Sequence, residues 1–242
     1  MSQPLDCNPF LKWAGGKRWL VRKHCHLFPS AFSRYIEPFL GSGALFFALK
    51  PRRAFLSDSN AELVNAYLAI RDDWEGVASR LARHQRLHSK PHYYSVRAQR
   101  PTHLTAQAAR LIYLNRTCWN GLYRVNQQGV FNVPIGTRSS VLREEDNFAG
   151  VSKVLNRAEI RASDFGKSLQ RARRGDFIYA DPPYTVKHNM NGFVRYNERI
   201  FSWADQERLA HMLLAAKRRG AIILATNANH RSIRDLYRPH FH

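Results

Sequence analysis

The stretch that decides the fold is YIEPFLGSGALFFALKPRRAFLSD, residues 35–58. It opens on a short apolar strand over 35–39, passes through a glycine loop at 41–43, continues as a helix over 44–49, and ends on a second strand before Asp58. Strand, glycine loop, helix, strand and acid in this order predict a βαβ unit. In such a unit the carboxyl ends of parallel strands meet at one edge of a sheet, where ligands bind.

The same stretch predicts the kind of ligand. Gly41 and Gly43 let a ligand approach the backbone closely, and Asp58, at the end of the second strand, can accept two hydrogen bonds from ribose hydroxyls. The spacing alone does not separate a dinucleotide from other nucleoside ligands, and a plain structural turn is the alternative. Phe46 stands where the third glycine of the dinucleotide fingerprint would fall, which argues against a pyrophosphate ligand.

The pattern of the chain changes at about residue 72 and changes back at about residue 156. Helical patterns in this part are more polar, and the stretch 116–140 is rich in Asn, Gly and Arg. We interpret 72–156 as an inserted, mainly helical domain. Residues 1–71 and 157–242 then form one discontinuous domain around it.

Beyond the insertion, alternating strands and helices return. We predict strands at 158–162, 177–180 and 221–226, the last one buried on both faces, and a helix over 203–219 that stops at Gly220. These elements predict an α/β fold with a doubly wound, mostly parallel, Rossmann-like sheet. Acids fall at the carboxyl ends of four strands: Glu37, Asp58, Asp164 and Asp181.

The segment Asp181-Pro182-Pro183-Tyr184 follows the strand at 177–180. Its two prolines lack N–H donors, so the carbonyls of Asp181 and Pro182 and the Asp181 carboxylate form a group of acceptors. An exocyclic amino group has two N–H bonds to donate, and such acceptors can hold it with its nitrogen aimed at a methyl donor. Tyr184 adds a flat face on which a base can stack. An ordinary strand-ending turn is the alternative.

A third segment, FLKWAGGK at residues 10–17, combines glycines that permit a turn with Lys12, Trp13 and Lys17. These side chains suit a charged, partly aromatic ligand. Taken alone the segment is a weak signal, because a tryptophan is more often part of a core than of a site.

The charge of the chain indicates a polyanionic partner. Its 242 residues include 38 Lys plus Arg against 18 Asp plus Glu, a net charge of +20. Such an excess is typical of proteins that bind nucleic acid. An anionic lipid surface is less favoured, since no basic helix with a clean apolar face stands out. A basic protein without such a partner is the remaining alternative.

The sequence argues against several other classes of protein. No apolar run approaches the roughly 20 residues of a membrane-spanning helix, and the N-terminus carries no pattern of a secretory signal. Cys7, Cys25 and Cys118 are odd in number and far apart, which argues against a disulfide framework and a zinc site. We therefore expect no membrane, no metal and a reducing cytoplasm.

Together these segments resemble the Dam family of DNA adenine-N6 methyltransferases, of the D12 class. The order is the family's: the Trp-Ala-Gly-Gly-Lys segment, the glycine loop, an inserted target-recognition domain, and Asp-Pro-Pro-Tyr. A further match lies inside the insertion, YLNRTCWNGLYR at 113–124, followed by FNVP at 131–134. The resemblance spans about 10–227, nearly the whole chain.

The resemblance implies an activity and a division of labour. It implies that the domain of 1–71 and 157–242 binds S-adenosyl-L-methionine and releases S-adenosyl-L-homocysteine, and that 72–156 recognises the DNA target. The reaction would methylate the N6 of a flipped adenine in double-stranded DNA, with GATC as the leading site. Arg124 suits a bidentate guanine contact there.

The resemblance also assigns roles to residues of this sequence. Catalysis would belong to Asp181, Pro182, Pro183 and Tyr184. Cofactor binding would belong to Trp13, Lys17, Phe39, Gly41, Gly43, Asp58, Asp164 and Asp181. DNA binding would belong to Lys12, Arg116, Trp119, Asn120 and Arg124.

The chain departs from the family pattern at one end. Family members continue beyond the fifth strand with a further strand pair, whereas this sequence stops at His242. A truncated or non-catalytic DNA-binding homologue is therefore one alternative. The same chemistry on RNA adenine, cytosine N4 or a glutamine amide is another, although Asp181 and the motif order favour adenine in DNA. We expect a monomeric bacterial or phage enzyme, associated with the nucleoid or with restriction–modification.

Overall fold

A computed structural model of the chain describes residues 7–126, 128–186 and 201–241. Contacts between Cα atoms divide the chain into two compact units. The first holds the described residues of Met1–Cys25, Leu40–Arg52 and Asn60–Ala162, and the second those of His26–Phe39, Arg53–Ser59 and Ser163–His242. These two units are defined by contacts, whereas the domains predicted from the sequence are defined by function. The domain boundaries at 72 and 156 therefore stay a prediction.

Five strands form one parallel sheet, with the order β3-β2-β1-β4-β5. The strands are β1 (Tyr35–Glu37), β2 (Ala54–Asp58), β3 (Ala158–Ala162), β4 (Phe177–Ala180) and β5 (Ile222–Ala225). The strand order runs outward from β1 to β2 and β3 and then resumes at β4 on the other side of β1, so the topological switch point lies between β1 and β4. The prediction of an α/β fold with a Rossmann-like parallel sheet is confirmed.

The register of the strands sets which residues leave the sheet together. Ile36 of β1 pairs with Ile178 of β4, and Ala180 of β4 pairs with Ala225 of β5. The residues that follow this last pair therefore emerge at the same level of the sheet.

The first unit is mainly helical. Its described helices are α1 (Arg18–Lys23), α2 (Ala44–Leu49), α3 (Ala61–Leu87), α4 (Lys90–Ala98), α5 (Leu104–Thr117) and α6 (Phe148–Leu155). The long helix α3 packs along α5 and α6. Its apolar residues Leu63, Val64 and Tyr67 recur at helical spacing and are almost fully buried.

Helix α3 has two halves. Asn60 caps the first half by accepting a hydrogen bond from the Leu63 amide, and Asp73 interrupts the helix with φ −150° and ψ 64°. The Asp73 carboxylate accepts a hydrogen bond from the Gly76 amide at 2.9 Å and so caps the second half. The apolar spacing of 60–71 predicts one helix and the more polar pattern of 74–86 a second, and they correspond to these halves.

The second unit packs helices against four of the strands. The described helices of this unit are α7 (Phe165–Gln170), α8 (Trp203–Arg218) and α9 (Arg231–Tyr237). A capping box of Ser202 and Asp205 begins α8, and Gly220, with φ +89°, follows its end in the left-handed region as predicted. The core of this unit joins β1, β2 and β4 to α7 and α8.

The prediction that the strand at 221–226 is buried on both faces is wrong. Ile222 is 40% exposed, and the two ends of β5 are both exposed. The physical reason is position, since β5 is the edge strand of the described sheet and pairs there with β4 alone. An apolar sequence cannot by itself distinguish an edge strand from a central one.

Candidate active site

Acidic side chains gather at the carboxyl ends of β1, β2 and β4 in the second unit. Glu37 ends β1 and is 2% exposed, Asp58 ends β2, and Asp181 directly follows β4. The hydroxyl of Tyr35 donates to Glu37 Oε2 at 2.9 Å. Burial raises the pKa of Glu37 well above its ordinary value, and the negative charges of Asp181 and Asp58 raise it further. This edge favours a ligand that brings positive charge or hydroxyl donors.

The Asp181 carboxylate is held by a residue of the neighbouring strand. Thr226 directly follows β5, and its hydroxyl donates to Asp181 Oδ1 at 2.6 Å. Thr226 Oγ1 also lies 3.3 Å from the hydroxyl of Tyr179, which is 2% exposed. Burial raises the pKa of the Tyr179 phenol, so this hydroxyl keeps its proton. The three side chains form a chain of hydrogen bonds that ends on the carboxylate.

The segment Asp181-Pro182-Pro183-Tyr184, called the tetrad from here on, runs from the interior to the surface. Pro182 is buried, Pro183 is half-buried, and Tyr184 is 37% exposed. The next residue, Thr185, is fully buried and its hydroxyl donates to the Phe201 carbonyl at 2.6 Å. The segment is therefore anchored on both sides of Tyr184, which is itself exposed.

Asp164 lies in an aromatic part of the second unit. It caps α7 by accepting a hydrogen bond from the Gly166 amide, and Arg208 bonds both of its carboxylate oxygens, at 2.8 and 2.7 Å. The hydrogen bonds from Arg208 lower the pKa of Asp164. The Arg208 guanidinium also lies 4.0 Å from the ring centroid of Phe165, and Phe39 stacks on that ring with centroids 5.4 Å apart. Two predicted cofactor residues, Phe39 and Asp164, thus meet at Phe165.

The glycine loop of the first unit lies against Trp13. A Cβ atom at Gly41, whose φ is +48°, would come within 3.1 Å of the Trp13 ring, so glycine is needed there for space as well as for conformation. The hydroxyl of Tyr67 donates to the Gly41 carbonyl at 2.9 Å, and Gly43 has φ +63°. Trp13 stacks on Tyr123 with centroids 4.9 Å apart. The segment FLKWAGGK and the glycine loop therefore meet in this unit.

A buried amide joins the N-terminal segment to the loop after α5. Asn115 is 1% exposed, accepts a hydrogen bond from the Lys12 amide at 2.9 Å, and donates to the carbonyls of Lys12 and Gly121 at 2.7 and 3.2 Å. The Lys12 ammonium also donates to the Asn120 carbonyl. Lys17 is 6% exposed and donates to a nearby backbone carbonyl, that of Gly15, at 2.7 Å.

The loop after α5 presents the other predicted DNA residues. Trp119 is 56% exposed although its backbone amide is bonded to the Pro134 carbonyl at 2.9 Å. Asn120 has φ +55°, a left-handed conformation that is uncommon for residues other than glycine. Arg124 is exposed, and its Nε donates to Asn132 Oδ1 at 3.0 Å. In this loop a hydrogen-bonded backbone carries the exposed indole of Trp119 and the exposed guanidinium of Arg124.

Arg116 lies inside the first unit and not at its surface. Its side chain is 0% exposed and makes a bidentate ion pair with Asp146. In this pair Arg116 Nη2 donates to Asp146 Oδ1 at 2.7 Å, and Nη1 donates to Oδ2. It also donates to the carbonyls of Val141 and Phe10, at 2.7 and 2.9 Å. In this conformation the guanidinium does not reach a surface ligand, and it stabilises the junction of three segments.

Four residues that take part in these contacts were missed by the motif reading. Thr226 and Arg208 lie outside the quoted motifs, and Asn115 and Tyr123 lie inside the motif at 113–124 but were given no role. A hydroxyl directly after an apolar strand was the one sequence signal for Thr226. The others have no local signal, since their partners are distant along the chain.

The described ranges of the chain contain neither a metal centre nor a membrane span. Among those residues, no three His, Cys, Asp or Glu side chains are grouped so as to hold a metal ion. Within the same ranges, every helix is too short or too polar to cross a bilayer.

Comparison with known proteins gives consistent results. The family model of D12 class N6 adenine-specific DNA methyltransferases matches residues 13–242. The chain is 35% identical over 243 residues to the type II methyltransferase M1.LlaDCHI of Lactococcus lactis subsp. cremoris, covering 97% of this chain and 86% of that protein. It is 31% identical over 243 residues to the DNA adenine methylase of Haemophilus influenzae, covering 98% and 85%. The DNA N-6-adenine-methyltransferase of Escherichia phage P1 is 36% identical over 233 residues, which cover 93% of this chain and 30% of that longer protein.

Proposed function

The chain belongs to the D12 class of N6 adenine-specific DNA methyltransferases, and on this premise we propose that it transfers a methyl group from S-adenosylmethionine to the N6 of a flipped adenine in duplex DNA. One observation carries the proposal. Asp181-Pro182-Pro183-Tyr184 leaves the sheet directly after β4, beside the switch point, with its carboxylate held by Thr226 and its tyrosine exposed. Ligands of open parallel sheets bind at such points.

The residues fit this cofactor. It supplies an electrophilic methyl group on a positively charged sulfur, together with an ammonium group and ribose hydroxyls. The Asp58 and Asp181 carboxylates at the strand ends suit positive charge and hydroxyl donors. The cofactor set that we propose from the family resemblance is Trp13, Lys17, Phe39, Gly41, Gly43, Asp58, Asp164 and Asp181.

Asp164 can meet an adenine ring only if a competing contact yields. Arg208 now bonds both carboxylate oxygens and lies over Phe165. A nucleobase with an amino group would make the same two kinds of contact, one to the carboxylate and one to the ring. We therefore include Asp164 in the cofactor set on the condition that Arg208 moves aside.

The tetrad would act on the target amino group by orientation. A paired adenine hides its N6 inside the duplex, so the base must leave the stack, which costs a few kcal/mol. Stacking on Tyr184 offsets part of this cost. The two N–H bonds of the amino group would be accepted by the Asp181 carboxylate and the Pro182 carbonyl. Acceptors held in this way favour a pyramidal nitrogen with its lone pair directed at the methyl group, and positioning supplies most of the rate. As the new N–C bond forms the methyl–sulfur bond would break, and the proton that N6 then gives up would pass to the Asp181 carboxylate.

Recognition of the DNA would belong to the first unit. The exposed Trp119 and Arg124, together with Lys12 and Asn120, form the DNA-contacting set that we propose, and GATC is its proposed site. We leave Arg116 out of this set because its guanidinium is buried and bonded to Asp146. The net charge of +20 supports a phosphate-binding surface.

The test is methyl transfer from labelled cofactor to two duplexes that differ only in whether they contain GATC. We expect label on adenine N6 in the GATC duplex alone. Asp181→Ala should lower the rate by at least about 100-fold with the fold intact, since a preorganised polar contact is lost. Asp235→Ala, which removes an exposed acid of the same unit, is the matched control. Near wild-type turnover by Asp181→Ala would refute the assignment, and label on cytosine or RNA would change the substrate.

A further inference from the structure

Thr226 has no role in the tetrad, yet it contacts the carboxylate on which the proposed chemistry depends. Because Ala180 and Ala225 are paired in the sheet, Asp181 and Thr226 leave β4 and β5 side by side. The Thr226 amide donates to the Ala180 carbonyl at 3.0 Å, and its hydroxyl donates to Asp181 Oδ1 at 2.6 Å. We propose that Thr226 is a positioning residue that sets the orientation of the Asp181 carboxylate through a hydrogen-bond chain beginning at Tyr179. This proposal rests on the proposed function.

Elementary hydrogen-bond chemistry gives the chain a direction. An ionised carboxylate can only accept, so the proton of the short Thr226–Asp181 bond comes from threonine. A hydroxyl has one proton to donate, and Thr226 has used it. The Tyr179 hydroxyl, 3.3 Å from Thr226 Oγ1, must therefore be the donor of the second bond. The order is Tyr179 to Thr226 to Asp181.

The first member of the chain is built to donate. Tyr179 lies on β4, between β1 and β5, and is 2% exposed. Burial, and next the negative charge of Asp181, raise the pKa of its phenol. A phenol that keeps its proton remains available as the donor to Thr226.

The chain matters because a carboxylate turns easily about its last torsion. That torsion joins sp³ and sp² atoms and has broad, shallow preferences. A charge-assisted O–H···O bond of 2.6 Å has the length typical of a strong one and fixes the plane of the carboxylate. In-line transfer needs the amino nitrogen, methyl carbon and sulfur to be aligned, and small misplacements of reacting groups cost large factors in rate.

Threonine suits this place better than serine or valine would. The β-branched side chain has restricted rotamers, so its hydroxyl is held in one direction. Valine keeps the branched shape and loses the donor, whereas serine keeps the donor and loses a methyl group. The two substitutions therefore separate the hydrogen bond from the packing.

The experiment measures single-turnover methyl transfer to the GATC duplex, together with the Kd of cofactor and of DNA, for the full chain. We expect Thr226→Val to slow transfer roughly 10- to 100-fold while both Kd values change less than about threefold. Thr226→Ser should stay within about threefold of the wild-type rate. Thr105→Val removes a buried, hydrogen-bonded threonine hydroxyl of the insertion and should leave the rate unchanged. Tyr179→Phe should cause a smaller loss than Thr226→Val, because it acts one bond further from the carboxylate.

Each other outcome overturns a stated part of the reasoning. A wild-type rate in Thr226→Val would show that the hydroxyl does not position Asp181. Equal losses in the valine and serine variants would assign the effect to packing, and a loss confined to Kd would assign it to binding, both against the proposal. An Asp181→Ala/Thr226→Val double variant that is markedly slower than Asp181→Ala alone would also refute it. A wild-type protein that methylates no adenine would overturn the proposed function, and the role of Thr226 with it.

Discussion

Replacing Arg116 by methionine should destabilise the first unit by about 3 kcal/mol. The guanidinium is fully buried and bonds both oxygens of Asp146 and the carbonyls of Val141 and Phe10. Methionine has a similar length and no donor, so it leaves an almost buried carboxylate, 10% exposed, without its cation. Removing one partner of a buried pair costs about 3 to 5 kcal/mol. The lower end applies because Asp146 keeps a hydrogen bond from the Arg143 amide.

Urea denaturation, monitored by circular dichroism, measures this change as a difference in the free energy of unfolding between Arg116→Met and the wild type. The matched control is Arg161→Met, since Arg161 bonds Glu159 at 2.6 Å but is 64% exposed. An exposed pair of this kind is worth about 0.5 kcal/mol or less, so the two variants separate burial from ion pairing. Removing both buried partners in Arg116→Met/Asp146→Leu should recover much of the loss. A loss below about 1 kcal/mol in Arg116→Met would refute the reasoning.

The remaining predictions concern pH. Burial, and next the charge of His92, lower the pKa of His84 from 6.5 to about 4. The unfolded chain therefore binds a proton at this histidine more readily than the folded chain does. The stability that is present above pH 6.5 should fall as the pH drops towards 4. His84→Gln should flatten this slope in thermal denaturation, and an unchanged slope would contradict the assignment. Burial raises the pKa of Glu37 in the folded chain above its value in the unfolded chain. The wild type should therefore lose stability as the pH rises from the unfolded pKa towards the folded one. Glu37→Gln should therefore gain thermal stability over the wild type increasingly as the pH rises above 4.5, and a constant difference would argue against it.

The sequence was informative wherever the signal is local. The bounds of α2, β3 and β4 match their predicted ranges to the residue. For α2 and β4 the reason is that an apolar run is bounded by glycine, charge or proline within the segment itself. The glycine loop and the Asp181 tetrad were found for the same reason. Family resemblance then supplied roles that no single motif carried.

What the sequence could not supply depends on distant partners. Thr226 lies 45 residues from Asp181, and Arg208 lies 44 residues from Asp164. A hydroxyl or guanidinium at such a separation is unremarkable until the sheet register or the helix packing brings it into contact. Arg116 illustrates the same point in reverse, because its residue type suits phosphate while its surroundings make it a core ion pair.

The amide of Asn115 has a consequence for the order in which the protein takes shape during synthesis. Its bonds to Lys12 close a loop of 103 residues, and the bond from Arg116 to Phe10 closes one of 106. The N-terminal segment leaves the ribosome first, but its anchor is made only after α5 has been translated, about 5 to 20 s later at ordinary elongation rates. Until then Trp13 lacks the surroundings it has in the folded chain. The segment made first is thus completed late, and nascent chains shorter than about residue 121 cannot form this part of the proposed site.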